Sequence, residues 1–261
     1  DRSPSRGLGD VYKRQGFYET VPTGAALRQQ LEAHAADGRR RLGVYAPGED
    51  PAARRPAATF EDFVQPLTTW PGRAVDAWLI TDVTVSPDAR RRGVLRAMML
   101  RSLADARDAG LCAAALTATE AAIYGRFGFG AATRWHAVRI DVSGAPAFTG
   151  APAGGRVTVE EPREIPGLVD ELYGRVLPAT PGSVQRTSFS VHRWEDREAS
   201  RNEGRGSGLY AAVHRDDDGR VQGVALYRFE GWEKEPPTIT VTAFLAATAD
   251  ARRGLVHHLA L

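Results

Sequence analysis

Apolar positions change their period along the chain, and each change marks an element. Leu27, Leu31 and Ala35 recur at helical spacing, so 23–37 reads as a helix that Thr23 or a neighbour can cap. Residues 41–46 and 57–67 read as strands, the second carrying Phe60, Phe63 and Val64. A turn over 70–74 leads into 78–85, a strand rich in Leu, Ile, Val and Thr that Pro87 and Asp88 end. In 93–109, Leu95, Met99, Leu103 and Ala106 fall on one helix face, and Gly110 stops the helix. A strand over 112–119, a short helix over 121–126 closed by Gly128, and a strand over 133–142 complete this run.

Residues 143–155 hold Gly, Pro and small side chains, and read as a linker. A second run follows: a strand at 156–161, helices at 164–177 and 189–200, and strands at 209–214, 222–229 and 238–245. Asp217, Asp218 and Gly219 make a hairpin turn between the first two of those three strands. Asp250 opens a last helix. The mixture of helices and strands makes both runs α/β or α+β, and 261 residues suffice for two medium domains.

Composition excludes several classes. At 43% hydrophobic and 25% charged the chain suits a soluble globular protein, and no apolar run has the length of a membrane span. Cys112 is the one cysteine, so neither an intramolecular disulfide nor a cysteine-based metal cluster can form. Its apolar setting predicts a buried structural thiol, and a reducing compartment, the cytoplasm, is expected. Net charge is +2, carried by arginines spread along the chain without a basic tail. The densest cluster, Arg90, Arg91, Arg92 and Arg96, suits a small polyanion better than a nucleic acid duplex. Residues 1–15 show no periodicity, resemble translated adapter sequence, and are set aside as a non-native tail; a genuine disordered arm is the other reading. Together with the abrupt end at Leu261, they predict an internal piece of a longer protein.

Chemistry concentrates at Val83, Thr84, Val85 and the arginine loop behind them, Arg90, Arg91, Arg92, Gly93, Val94, Leu95 and Arg96. A strand stops, a short loop with one glycine follows, and a helix begins. A helix start leaves about four backbone N–H groups unpaired and adds roughly half a positive charge. Gly93 lets phosphate oxygens approach the backbone, and Arg90, Arg91 and Arg96 can add charge-assisted bonds. Binding of a diphosphate follows from these groups; the rest of the ligand does not.

The same segment resembles the acetyl-CoA signature of the GNAT superfamily, Arg/Gln-x-x-Gly-x-Gly/Ala, with Arg90 and Gly93 in place and Leu95 departing from it. That departure is similar to the Eis-like (enhanced intracellular survival) branch. So is Thr117-Ala-Thr-Glu120 followed by Ile123-Tyr-Gly-Arg-Phe-Gly-Phe-Gly130. The likeness is strongest over 78–139 and continues weakly through the second run.

The resemblance implies tandem GNAT-like folds: a first domain over 16–142, its first strand and helix missing, and a second, degenerate and truncated copy over 156–261. Each would have a mixed central sheet flanked by helices. It implies an N-acetyltransferase that uses acetyl-CoA and no metal, with a multiply cationic small amine as acceptor and with homo-oligomers as in that branch. Acetyl-CoA would lie between the strand ending at Val85 and the strand ending near Thr119. The resemblance makes Tyr124 the general acid, although spacing alone reads it as a packed aromatic at a helix end. Asp82 is the local candidate for holding the amine or serving as base; a salt-bridged strand residue is its other reading. Strand alternation places its side chain opposite Val83 and Val85. Glu120 reads as a helix cap.

A non-catalytic CoA-binding or interaction module is the alternative, and a nucleotide-phosphate binder a third. The histidines His34, His136, His192, His214, His257 and His258 lack metal-ligand spacing. Ser190 lacks a nucleophile elbow. Trp70, Trp78, Trp135, Trp194 and Trp232 read as packing residues.

Overall fold

The computed structural model describes residues 24–48, 56–118, 120–133, 153–188, 208–232 and 235–260. The chain divides into two compact units, 1–69 with 73–134, and 70–72 with 135–261. No described helix is long and apolar enough to cross a membrane.

The first unit begins with helix α1 (Gly24–Ala36) and strands β1 (Arg40–Val44), β2 (Ala58–Trp70) and β3 (Arg73–Val85). Helix α2 (Val94–Asp108) and strand β4 (Ala113–Leu116) follow. The turn expected over 70–74 shrinks to Pro71 and Gly72, with strand on both sides. Gly72 has a φ of 75°, which a tight hairpin needs and which glycine reaches without strain.

The sheet order is β1-β2-β3-β4. β1 and β2 are antiparallel, from Arg40 opposite Asp62 to Val44 opposite Ala58. β3 and β4 are parallel, so α2 must carry the chain back between them. Ala58 and Phe60 of β2, Trp78 and Ile80 of β3, and Met98, Met99 and Ala106 of α2 form the core between sheet and helix. Leu95 and Leu103 pack against it half-buried, so the face read from periodicity is right but turned toward Met98 and Ser102.

Charged groups are also buried in β2, and each has a partner, as burial demands. Asp62 is wholly buried, and Arg40 clasps both its oxygens at 2.8 Å. Arg40 reaches Asp105 of α2 at 2.5 Å and lies over the Trp78 ring. These carboxylates push the guanidinium pKa above its ordinary value, while Arg40 holds the Asp105 carboxyl below its own. On the opposite face Glu61 meets Arg41 at 3.0 Å and Arg39 at 3.5 Å.

The second unit holds β5 (Arg156–Glu160), helix α3 (Pro166–Val176), β6 (Leu209–Arg215), β7 (Val221–Phe229), β8 (Ile239–Ala246) and helix α4 (Ala249–Ala260). Its sheet order is β5-β6-β7-β8, antiparallel throughout. Ile165 and, from α3, Val169 and Leu172 cover one face, against Ala211, Val213, Val224 and Leu226. Leu255 of α4 covers the other, against Ala212 and Ala225. Gly223 permits the close approach of α4, since a Cβ there would sit 2.9 Å from Leu255 and 3.0 Å from Ala251. The hairpin at Asp217–Gly219 is closed by Asp216 N–H to Arg220 O at 3.0 Å and Gly219 N–H to Asp216 O at 2.9 Å.

Two side-chain expectations are corrected. Cys112 is exposed, because β4 starts one residue later and it is the neighbouring Leu111 that packs on the core. Trp70 and Trp232 are 68% and 80% exposed; only Trp78, 9% exposed, is a core residue among the described tryptophans. The elements expected over 134–142 and 189–200 lie outside the described residues.

Candidate active site

β3 outruns its neighbour. Its pairing with β4 ends at Ile80 opposite Leu116, yet β3 continues to Val85. β4 stops at Leu116, so the last residues of β3, beyond Ile80, have no β4 partner on that side.

The unpaired end of β3 also breaks alternation. Trp78 and Ile80 belong to the core on the α2 side, and so do Val83 and Val85. Even positions therefore give way to odd ones, which needs one extra residue between them. Asp82 supplies the break, with a φ of 57°, the left-handed signature of a one-residue bulge. Simple alternation through Asp82, as expected from the sequence, does not apply. Thr84 falls on the other face, where its hydroxyl lies 2.7 Å from Thr59 Oγ1. Thr59 was not singled out from the sequence, because its partner is remote in the chain and no local signal marks the pair.

After β3, Ser86 N–H donates to Ala57 O at 2.9 Å, and Pro87–Ala89 form a 3₁₀ turn. Arg91 has a φ of 62° and Gly93 one of 79°. Gly93 takes that backbone without strain, and α2 starts directly after it. The first bond of α2 runs from Ala97 N–H to Gly93 O. Among the described residues, the amides of Gly93 through Arg96 donate to no protein acceptor. Arg91, Arg92 and Gly93 are exposed, and a Cβ on Gly93 would meet nothing within 4 Å. The loop is open and polar, with the half positive charge of a helix start behind it.

Its arginines differ. Arg90 Nε donates to Val85 O at 3.3 Å, tying the loop to the strand end. Arg91, Arg92 and Arg96 are exposed and have no ion-pair partner among the described residues. Asp88 is the one carboxylate in the loop.

The expected short helix around Tyr124 consists of two 3₁₀ turns, Ala121–Ile123 and Gly125–Phe127. Tyr124 joins them. Its carbonyl accepts from Phe127 at 2.9 Å and Phe129 at 3.4 Å, and Gly128, with a φ of 92°, closes the turn. The Tyr124 ring meets Phe129 edge-on and packs half-buried on the core that carries Val83, Val85, Val94 and Leu95. Burial, and secondly the Glu120 charge, push its phenol above the ordinary value. No described residue hydrogen-bonds its hydroxyl. Glu120 stands at the N-cap, but its carboxylate makes no cap bond; its carbonyl accepts from Ile123 at 3.2 Å. The expected side-chain cap is therefore absent, since that carbonyl bond is the first bond of the 3₁₀ turn itself. Thr119 lies outside the described residues.

Known proteins resemble this chain in sequence and in fold. Residues 22–132 match a family described as an acetyltransferase (GNAT) domain, and residues 182–261 match a second family of the same description. An uncharacterized N-acetyltransferase of Streptomyces avermitilis is 35% identical over 229 residues, covering 84% of this chain and 53% of that protein. The N-acetyltransferase Eis of Mycobacterium tuberculosis is 34% identical over 179 residues, covering 66% of this chain and 42% of Eis. The crystal structure of Eis1 from Mycobacterium abscessus superposes with a TM-score of 0.72 at 25% identity, over 98% of this chain and 60% of that one. The chain thus spans about half the length of the curated relatives it matches. With matching domains over residues 22–132 and 182–261 and relatives of that kind at 34–35% identity, the chain belongs to the GNAT acetyltransferases and is Eis-like in sequence and fold.

Proposed function

We propose that this chain transfers the acetyl group of acetyl-CoA to a primary amine of a small cationic acceptor. The observation that carries the reading is the run of amides from Gly93 to Arg96, without protein acceptors among the described residues, at a helix start that follows the β3 end left unpaired by β4. A diphosphate fits there: it takes several N–H bonds, and Arg91, Arg92 and Arg96 offer it charge.

From that anchor a pantetheine arm can run along the unpaired edge of β3. The backbone N–H groups at Val83 or Val85 would bond it and polarise the thioester carbonyl. Thr84 on the other face, and Val94 and Leu95 beneath the loop, shape the surroundings. A neutral amine attacks the carbonyl carbon; the C–N bond forms and the C–S bond breaks. Tyr124 gives its proton to the departing thiolate. Its raised pKa keeps that proton in place at neutral pH. The amine's own proton leaves to a base or to water, with Asp82 the local candidate to attract the cationic amine.

Release of CoA thiol in the presence of spermine or an aminoglycoside tests the reaction. A thermal-shift titration with acetyl-CoA, CoA and ATP tests the site. Acetyl-CoA-dependent thiol release and stabilisation by both CoA species are expected. Stabilisation by ATP in preference to CoA, or CoA binding without thiol release from any amine, would defeat the proposal.

A further inference from the structure

We infer that Thr59 is a positioning residue: its hydroxyl locks the Asp82 bulge and so holds the β3 edge in the form that meets the thioester. The inference rests on the acetyltransferase reading above, but its structural half can be tested without any ligand.

Thr59 sits in β2, 9% exposed, on the face opposite Ala58 and Phe60. Its Oγ1 lies 3.2 Å from Asp82 O and 2.7 Å from Thr84 Oγ1. A carbonyl only accepts, so the single Thr59 proton goes to Asp82 O. Thr84 must then be the donor to Thr59. The result is a directed chain, Thr84 O–H to Thr59 O–H to Asp82 O. It grips the residue in the bulge and the second residue after it.

The grip has a specific consequence. Asp82 at a φ of 57° is a strained conformation for a residue with a Cβ, and it persists only where its surroundings impose it. Without the extra residue, the alternation running through Trp78 and Ile80 would turn Asp82 and Thr84 into the apolar core. It would carry Val83 and Val85 away from that core. A hydroxyl at position 59 rewards the bulged register alone. The loop that holds the diphosphate is built separately, from Gly93 and the start of α2, so the two halves of the site should fail independently.

Thr59→Val keeps the shape and removes the hydroxyl; Thr59→Ser keeps the hydroxyl. In thiol-release assays with acetyl-CoA and spermine, Thr59→Val should lower kcat about tenfold while CoA affinity changes by less than about twofold, the loss expected of one or two hydrogen bonds. Thr59→Ser should behave as wild type. Amide hydrogen exchange at Val83 and Val85 should quicken in Thr59→Val and not in Thr59→Ser. Should Thr59→Val fail to fold, Thr84→Val, which cuts one bond of the chain, takes its place in both measurements. Equal exchange and turnover in Thr59→Val and wild type, or equal damage in the Val and Ser variants, would overturn the assignment. If wild type neither binds CoA nor releases thiol, the transferase reading falls instead; exchange at Val83 and Val85 then decides the clamp alone, faster exchange upholding it and unchanged exchange rejecting it.

Discussion

The indole N–H of Trp78 donates to Ser102 Oγ at 2.8 Å, in a buried position between β3 and α2. Ser102 passes its own proton to Asp62 Oδ2 at 2.7 Å, and Arg40 closes the chain on Asp62. β1, β2, β3 and α2 are thereby held by one polar thread through an apolar core. Every member is satisfied, which is the condition under which such a network fixes a unique packing. Ser102→Ala should strand a buried indole N–H and weaken a buried carboxylate's company, at a cost of about 1–3 kcal/mol. Denaturant unfolding reads that loss, and CoA affinity measured well below the transition should stay unchanged.

Gly93 and Gly110 bracket α2 with similar backbones, φ 79° and 75°, and a Cβ at either meets nothing within 4 Å. Alanine at each should therefore cost stability through φ alone, about 1–2 kcal/mol. Only Gly93 lies at the helix start proposed to hold the diphosphate. Gly93→Ala should lose CoA affinity as well as stability; Gly110→Ala should lose stability alone. Paired melting and CoA titrations separate the two, and equal CoA affinity in both variants would remove Gly93 from the site.

Tyr124 should act with its proton on. Removing the hydroxyl in Tyr124→Phe keeps the ring against Phe129 and should reduce kcat by at least about a hundredfold. CoA binding should be unaffected. The working form is the protonated phenol, and burial raises its pKa, so that form persists to higher pH. The alkaline fall of kcat in the wild type should then lie above about pH 10. A fall centred near neutrality, or one that survives in Tyr124→Phe, would assign the acid elsewhere.

Asp82 can be tested for its backbone and its carboxylate separately. Asn tolerates a left-handed φ, whereas a β-branched residue does not. Asp82→Val should lose about 1–2 kcal/mol more than Asp82→Asn in urea unfolding. If the carboxylate attracts the cationic amine, Asp82→Asn should raise the KM for spermine while the KM for acetyl-CoA holds. An unchanged KM for the amine would leave Asp82 with its backbone role only.

Much of this was legible one element at a time. The helical period of Leu95, Met99, Leu103 and Ala106 located α2, and Gly110 its end. Arg90 and Gly93 marked the loop because a strand end, a glycine and a helix start lie within a few residues of each other. Likewise Tyr124 was reached through the motif around it. Such features rest on local backbone physics: turn residues, caps and side-chain period act over a handful of neighbours.

Other features needed the folded chain. Cys112 sits in an apolar run, yet it faces out because β4 begins one residue later than that run suggests. Asp82 looked like one more strand residue, since nothing in a strand's composition announces a left-handed φ at a non-glycine position. Thr59 and Thr84 are 25 residues apart, and their bond exists because β2 and β3 lie side by side. By itself, then, the sequence determined where most of the helices and strands run and which loop joins the end of β3 to the start of α2. Tertiary structure alone decided where the pairing of β3 with β4 ends and which way Val83 and Val85 turn, because register across a sheet depends on partners that are distant in the chain.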